Sequence, residues 1–248
     1  MIRAWLCALF AFGLAGPVRA AEVTVAVAAN FMGPMQKIAA EFEKDTRHRA
    51  VLVSGSTGVF YQQISRGAPF DVLLAADAET PARLEAQGLG LAGSRFTYAI
   101  GRLVLWSKTP GFVDAKGEVL NTMAFERIAV AHPTLAPYGA AAMQTLTKLG
   151  LAERLRPKLV QGENISQTYQ FVATGSAALG FVALSQVFAQ GRISEGSAWI
   201  VPENLHAQIR QDVVILKRAA SNPAAQLLAS YLRAPKAQAI VRAHGYGI

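Results

Sequence analysis

"EVTVAVAANFMGPMQKIAAEFEK", residues 22–44, decides the fold class. The first eight residues are almost wholly apolar and rich in valine, the pattern of a strand covered on both faces. The period then changes. Phe31, Met35, Ile38, Ala39 and Phe42 keep helical spacing, with Lys37, Glu41 and Lys44 on the other side. Pro34 falls in the first helical turn, where its missing N–H is tolerated. A buried strand turning through a short corner into an amphipathic helix is the unit of α/β proteins.

The unit repeats along the chain. Apolar, β-branched runs follow at 49–55, 71–77, 96–107, 127–133, 158–162, 178–184, 198–202 and 212–217, with helix-like segments between most of them. Near-continuous apolar strands alternating with helices predict mainly parallel sheets flanked by helices. The run 96–107 is long and carries Gly101 in its middle, so it can pass from one lobe to another. The stretch "VPENLHAQIRQDVVIL" (201–216) can return. Two crossing strands divide the chain into an N-lobe of 21–100 and 206–248 and a C-lobe of 101–205, with a cleft between them. Near the end, Pro235 restarts a second helix.

The N-terminus sets the compartment. Arg3, the apolar run from Trp5 to Leu14 and the small residues Val18 and Ala20 read as a cleavable secretory signal over residues 1–20, too short to anchor in a bilayer. The one cysteine, Cys7, lies within it, so the mature chain holds no disulfide, thiol nucleophile or thiolate metal site. An exported soluble protein is expected, periplasmic if the cell is a bacterium. Losing Arg3 and Arg19 takes Lys+Arg from 24 to 22 against 16 acids, leaving a net charge of +6. The positive charges are scattered and not interleaved with aromatics, which argues against nucleic-acid binding.

Several motifs carry no chemistry. "GLGLAG" (88–93) has dinucleotide-fingerprint spacing, but a helix precedes it and a strand follows, the reverse of the required order. The four histidines lack metal-ligand spacing. Asp71 and Asp77 bracket a strand roughly 20 Å long and cannot act as one catalytic pair. No nucleophile elbow or P-loop is present.

The informative positions are four strand-to-helix corners: "AANFMGP" (28–34), "SGSTGVFYQQI" (54–64), "TLAPYGAAAMQTL" (134–146) and "ENISQTYQFV" (163–172). None contains Lys or Arg. A helix N-terminus offers unpaired N–H groups and about half a positive charge, enough to hold an anion without a charged side chain. Two readings fit these residues equally: four capped helices, or one anion pocket built from four corners.

The chain resembles the molybdate-binding proteins of bacterial ABC importers, within the two-lobed periplasmic binding-protein fold. The resemblance rests on "VAAN" (27–30), "SGSTGVFYQQI" (54–64), "GAPFDVLLAADAETPARL" (67–84), "GSRFTYAIGRLVLWS" (93–107), "APYGAAAMQTLTKLGL" (136–151), "LGFVAL" (179–184) and "YLRAPKAQAIVRAHGY" (231–246). It implies an oxyanion pocket at Ala29, Asn30, Thr57, Tyr138 and Ile165, with Ser56 an alternative donor. Thr57 would donate through its amide and its hydroxyl, Tyr138 and Ile165 through backbone N–H, and Asn30 through its amide and possible side-chain NH₂. The resemblance also implies molybdate or tungstate as ligand, no cofactor, no direct protein–metal bond, no catalysis, a monomer, and a membrane permease with its ATPase subunit as partners. Two positions depart from the common pattern: Asn30 stands where many relatives have serine, and Ala183 where some have tyrosine. A binder of sulfate or another oxyanion, and a secreted hydrolase using Ser54 or Ser56, are the alternatives.

Overall fold

The structure, a computed structural model, describes residues 20–248. The expected signal peptide lies, except for Ala20, outside the described residues. The chain forms two five-stranded sheets. The strands in chain order are β1 (Glu22–Ala28), β2 (Arg49–Gly55), β3 (Val72–Leu74), β4 (Phe96–Gly101), β5 (Leu103–Ser107), β6 (Ile128–Ala131), β7 (Leu159–Gly162), β8 (Leu179–Ala183), β9 (Phe188–Ala189), β10 (Arg192–Ile193), β11 (Ser197–Ile200) and β12 (Ile209–Ile215). The first sheet has the order β2-β1-β3-β12-β4 and the second β11-β5-β8-β6-β7, while β9 and β10 form a small separate hairpin.

Both sheets are mixed. β1 pairs in parallel with β2 and β3, and β6 with β7 and β8. β12 runs antiparallel to β3 and β4, and β5 antiparallel to β8 and β11. Parallel pairing thus occupies one half of each sheet, where strands alternate with helices. The antiparallel half is made by the segments that change sheet: the chain leaves the first sheet at Gly101, enters the second at Leu103, and returns between Ile200 and Ile209.

Period-2 alternation explains why the strands look apolar throughout. In β5, Leu103 and Leu105 join one buried cluster and Val104 and Trp106 another. In β12, Val213 and Ile215 face one core of the first sheet while Val214 faces the other. The helix Met32–Thr46 seals one face with Met35, Ile38 and Phe42, joined by Phe31 at its N-cap, all fully buried. Each contributes on the order of 1.5–3 kcal/mol of transfer free energy.

The lobes also touch through buried polar groups. A bulge between Gln211 and Asp212 interrupts the β12–β4 register, and both side chains are buried. Bulges re-aim side chains in this way. Gln211 Oε1 accepts from Asn30 Nδ2 at 2.9 Å and from the Tyr98 hydroxyl at 3.0 Å, while its Nε2 donates to Tyr138 Oη on the second lobe at 3.2 Å. The C-terminal segment pairs with Ile100 through Gly247, which brings in Tyr246. Its hydroxyl accepts from Asn30 Nδ2 at 2.9 Å and lies within donating distance of the Asn30 carbonyl (2.7 Å) and of Ser185 Oγ (2.9 Å) on the second lobe.

Gly101 makes room for this network. A Cβ there would lie 2.1 Å from Tyr138 Oη and 2.6 Å from Gln211 Nε2. Gly101→Ala should therefore cost about 1–3 kcal/mol of stability through overpacking, read from denaturant midpoints. Removing the Tyr138 hydroxyl should destabilise the parent, since it strands the Gln211 amide, yet should recover stability in the Gly101→Ala background. Additive effects would contradict the contact.

Burial pushes the phenols of Tyr98, Tyr138 and Tyr246 above their ordinary value of 10.0. The folded form therefore holds these protons more tightly than the unfolded chain. The resulting stability is fully present below pH 10 and is lost as pH rises above it. Denaturant midpoints should hold up to about pH 10 and fall as pH rises beyond it, and Tyr98→Phe should make that fall shallower.

Candidate functional site

The site starts from four chain segments at the carboxyl ends of neighbouring parallel strands. β1 and β2 are neighbours in the first sheet and β6 and β7 in the second. In each sheet the next connection crosses to the far side of the first strand of the pair, to β3 or β8. This is the arrangement that leaves a crevice beyond the strand ends. Beyond β1 come Ala29 and Asn30, beyond β2 Ser56 and Thr57, beyond β6 Tyr138, and beyond β7 Ile165.

These six residues line one small cavity between the lobes, together with Ala28, Gly55, Ala76, Ala136, Pro137 and Asn164. All six are buried. The cavity, about 10 Å³, is far smaller than the ~300–1,000 Å³ of a site for a drug-sized molecule, so it suits a small ion. No charged side chain lines it.

Backbone N–H groups dominate its chemistry. Thr57 and Ile165 are the first residues of the helices Thr57–Ser65 and Ile165–Ala173, and Tyr138 is the second of Pro137–Lys148. Such amides have no acceptor inside the helix. Among the described residues the amides of Asn30, Thr57, Tyr138 and Ile165 donate to no other backbone carbonyl. Capping is arranged around them. Ser56 and Ala136 make no side-chain cap bond. Asn164 Oδ1 accepts from the amides of Ser166 and Gln167, which leaves that of Ile165. Three helix N-termini together present roughly one and a half positive charges.

The side chains refine the expected donor set. Thr57 Oγ1 accepts from the Ala76 amide at 2.9 Å, so one lone pair is used and the hydroxyl proton remains to be donated. The side-chain NH₂ of Asn30 is already engaged with Gln211 and Tyr246, so only its backbone N–H is available. This corrects the possible side-chain role, and the physical reason is the buried amide–phenol network behind the residue. The Ala29 carbonyl lies 3.4 Å from Ser166 Oγ of the other lobe, and the Asn30 carbonyl accepts from Ser185 Oγ at 2.9 Å. Ala183 is fully buried at the end of β8 and its amide donates to Gln186 Oε1. It is not among the residues lining the cavity.

Other candidates resolve to structural roles. Asp71 accepts from the Thr24 amide and pairs with Arg218. Asp77 accepts from the amide and hydroxyl of Thr80, and burial raises its carboxyl above the ordinary value. Gly88 and Gly93, in the fingerprint-like stretch, have positive φ and follow the helix Glu79–Ala86. No group of three metal-ligating side chains occurs among the described residues.

Sequence reasoning missed Gln211, Tyr246, Ser185 and Tyr98. Gln211 and Tyr246 lie 181 and 216 residues from Asn30. The signal available was a glutamine next to an aspartate at the head of an apolar strand, a polar pair that only a bulge can bury.

Comparison with known proteins gives the fold and the family. The chain is 57% identical over 235 residues to the molybdate-binding protein ModA of Azotobacter vinelandii, covering 95% of this chain and 93% of that protein. It is 48% identical over 246 residues to ModA of Rhodobacter capsulatus, covering 99% and 96%. The solved structure of the Azotobacter vinelandii periplasmic molybdate-binding protein superposes with a TM-score of 0.89 at 44% identity, over 91% of this chain and 99% of that one. A family model described as bacterial extracellular solute-binding protein matches residues 23–247. With a match that spans nearly the whole of the described chain, this protein is a member of the bacterial extracellular solute-binding protein family.

Proposed function

We propose that this protein captures molybdate, and tungstate with it, in the periplasm and delivers it to the permease and ATPase subunits of an ABC importer. The carrying observation is the convergence of four backbone N–H groups without protein acceptors, and the Thr57 hydroxyl, on one uncharged cavity. The ligand contacts are Ala29, Asn30, Ser56, Thr57, Tyr138 and Ile165. The metal centre is held through its oxygens, with no direct bond to the protein.

Molybdate and tungstate are fully deprotonated tetrahedral dianions at neutral pH, so every oxygen is an acceptor. Donors alone satisfy them. Phosphate carries a proton at neutral pH and needs an acceptor that this lining lacks in carboxylate form. Each mismatch of this kind costs about 1–3 kcal/mol, tenfold or more in affinity. Amides bound to a charged acceptor make hydrogen bonds roughly twice as strong as neutral ones. They also leave no fixed cation to hold the anion when the lobes open.

Ligand contacts come from both lobes, so binding favours the closed arrangement. The change of sheet at Gly101–Leu103 and at 201–208 supports lobes of 21–100 with 206–248, and of 101–205. The protein acts as a monomer and catalyses nothing.

The test is calorimetry on the mature protein with molybdate, tungstate, sulfate and phosphate. Tight binding of the first two and no heat from phosphate is expected. Thr57→Val, which removes a donor and the acceptor of the Ala76 amide, should weaken molybdate at least tenfold. An unaltered affinity in that variant would remove Thr57 from the pocket, and ester hydrolysis without anion binding would favour a secreted hydrolase.

A further inference from the structure

Beside the cavity runs a wider groove that shares Ala76, Ala136 and Pro137 with it. Gly58 and Leu135 line the groove, each one residue from a cavity-lining residue. They belong to opposite lobes and touch. The Gly58 amide donates to the Leu135 carbonyl at 2.9 Å. A Cβ on Gly58 would lie 2.9 Å from Leu135 Cα and 3.0 Å from both its carbonyl oxygen and its Cδ2.

Nothing in the local backbone requires glycine at this position. Gly58 is the second residue of the helix Thr57–Ser65 and has no positive φ. A helix prefers alanine to glycine by about 0.5–1 kcal/mol. The absence of a side chain therefore serves the contact with Leu135, in which two of the three nearest atoms are backbone and one is the side-chain Cδ2. The backbone part cannot be relieved by a rotamer change.

We propose that Gly58 is the residue that sets ligand size. Resting on the oxyanion reading above, the proposal is that its contact with Leu135 stops the lobes at one separation. That separation fixes the distance between the Thr57 amide on one side and the Tyr138 amide on the other. Protein N–H···O hydrogen bonds keep to about 2.7–3.2 Å, so a donor held beyond that range contributes little. A tetrahedral oxyanion with short bonds spans that separation only with stretched hydrogen bonds on one side, whereas a larger one bridges both sets of donors. An added methyl group moves the stop outward, and the smaller anion loses its second set of contacts first.

The test compares the parent with Gly58→Ala, using molybdate by calorimetry and the smaller selenate by competition against it, with ligand-free melting temperatures alongside. The expected result is a ligand-free melt no lower than that of the parent, because the helix gains an alanine and the open lobes feel no clash. Molybdate affinity falls at least tenfold and selenate affinity falls further. Adding Leu135→Ala, which deletes the Cδ2 contact, recovers part of the loss. Unchanged affinities, an equal loss for both anions, or no recovery in the double variant would overturn the size gauge while leaving the oxyanion reading intact. A parent protein that binds neither anion would overturn that reading instead.

Discussion

Four backbone amides from two lobes meet in a buried, uncharged space, and the rest of the molecule is arranged so that no protein group takes them. A buried donor without a partner costs about 1–3 kcal/mol, and the proposed oxyanion would supply the acceptors this cluster lacks. Each helix start is handled accordingly. Asn164 caps the second and third amides of its helix and leaves the first. Proline opens the helix Pro137–Lys148, where it has no N–H to satisfy. Thr57 turns its oxygen toward the Ala76 amide, which frees its proton. Neutral dipoles suit a dianion better than a lysine or arginine would, because the charge is met by several fixed donors and no ion pair must be broken for release.

That cluster exists only when the lobes are together, and the contacts between them are themselves uncharged. Gln211, Tyr98, Tyr138, Tyr246, Asn30 and Ser185 form a buried chain of amides and hydroxyls across the cleft. Such networks specify one arrangement when every member is satisfied. Gln211 reaches it because the bulge in β12 turns it inward. Tyr138 reaches it because Gly101 carries no side chain. The same tyrosine lines the cavity and gives its hydroxyl to this network, so in the proposed role filling the one and closing the other would be linked.

Much of this was legible in the sequence. The parallel strands 22–28, 49–55, 128–131 and 159–162 were apparent as short apolar runs set between helical periods, although only the inner two, 22–28 and 128–131, are largely buried, while 49–55 and 159–162 lie at sheet edges. The corners were visible as small and polar residues between two periods. The chain changes sheet after Gly101, and the reason for a glycine there lies in Tyr138, packed against the second sheet. Which residue of each corner faces the cavity came from the resemblance, since capping explains each corner equally well. The antiparallel half of each sheet was not legible, because it is built by strands that return from far along the chain. β12 begins three residues before its apolar run, as Ile209, Arg210 and Gln211 hide a polar strand start. Nor could the sequence reveal that the Asn30 side chain is turned away, for its partners are a glutamine and a tyrosine near the other end of the chain.

Amide-resolved NMR during a molybdate titration tests the central claim most directly. The account predicts that the ¹⁵N–¹H resonances of Asn30, Thr57, Tyr138 and Ile165 move downfield together at one equivalent, as amides do when they begin donating to an anion, while those of Ser166 and Gln167, already capped by Asn164, move less. Saturation by molybdate with those four resonances unmoved, or with movement on one lobe alone, would contradict it.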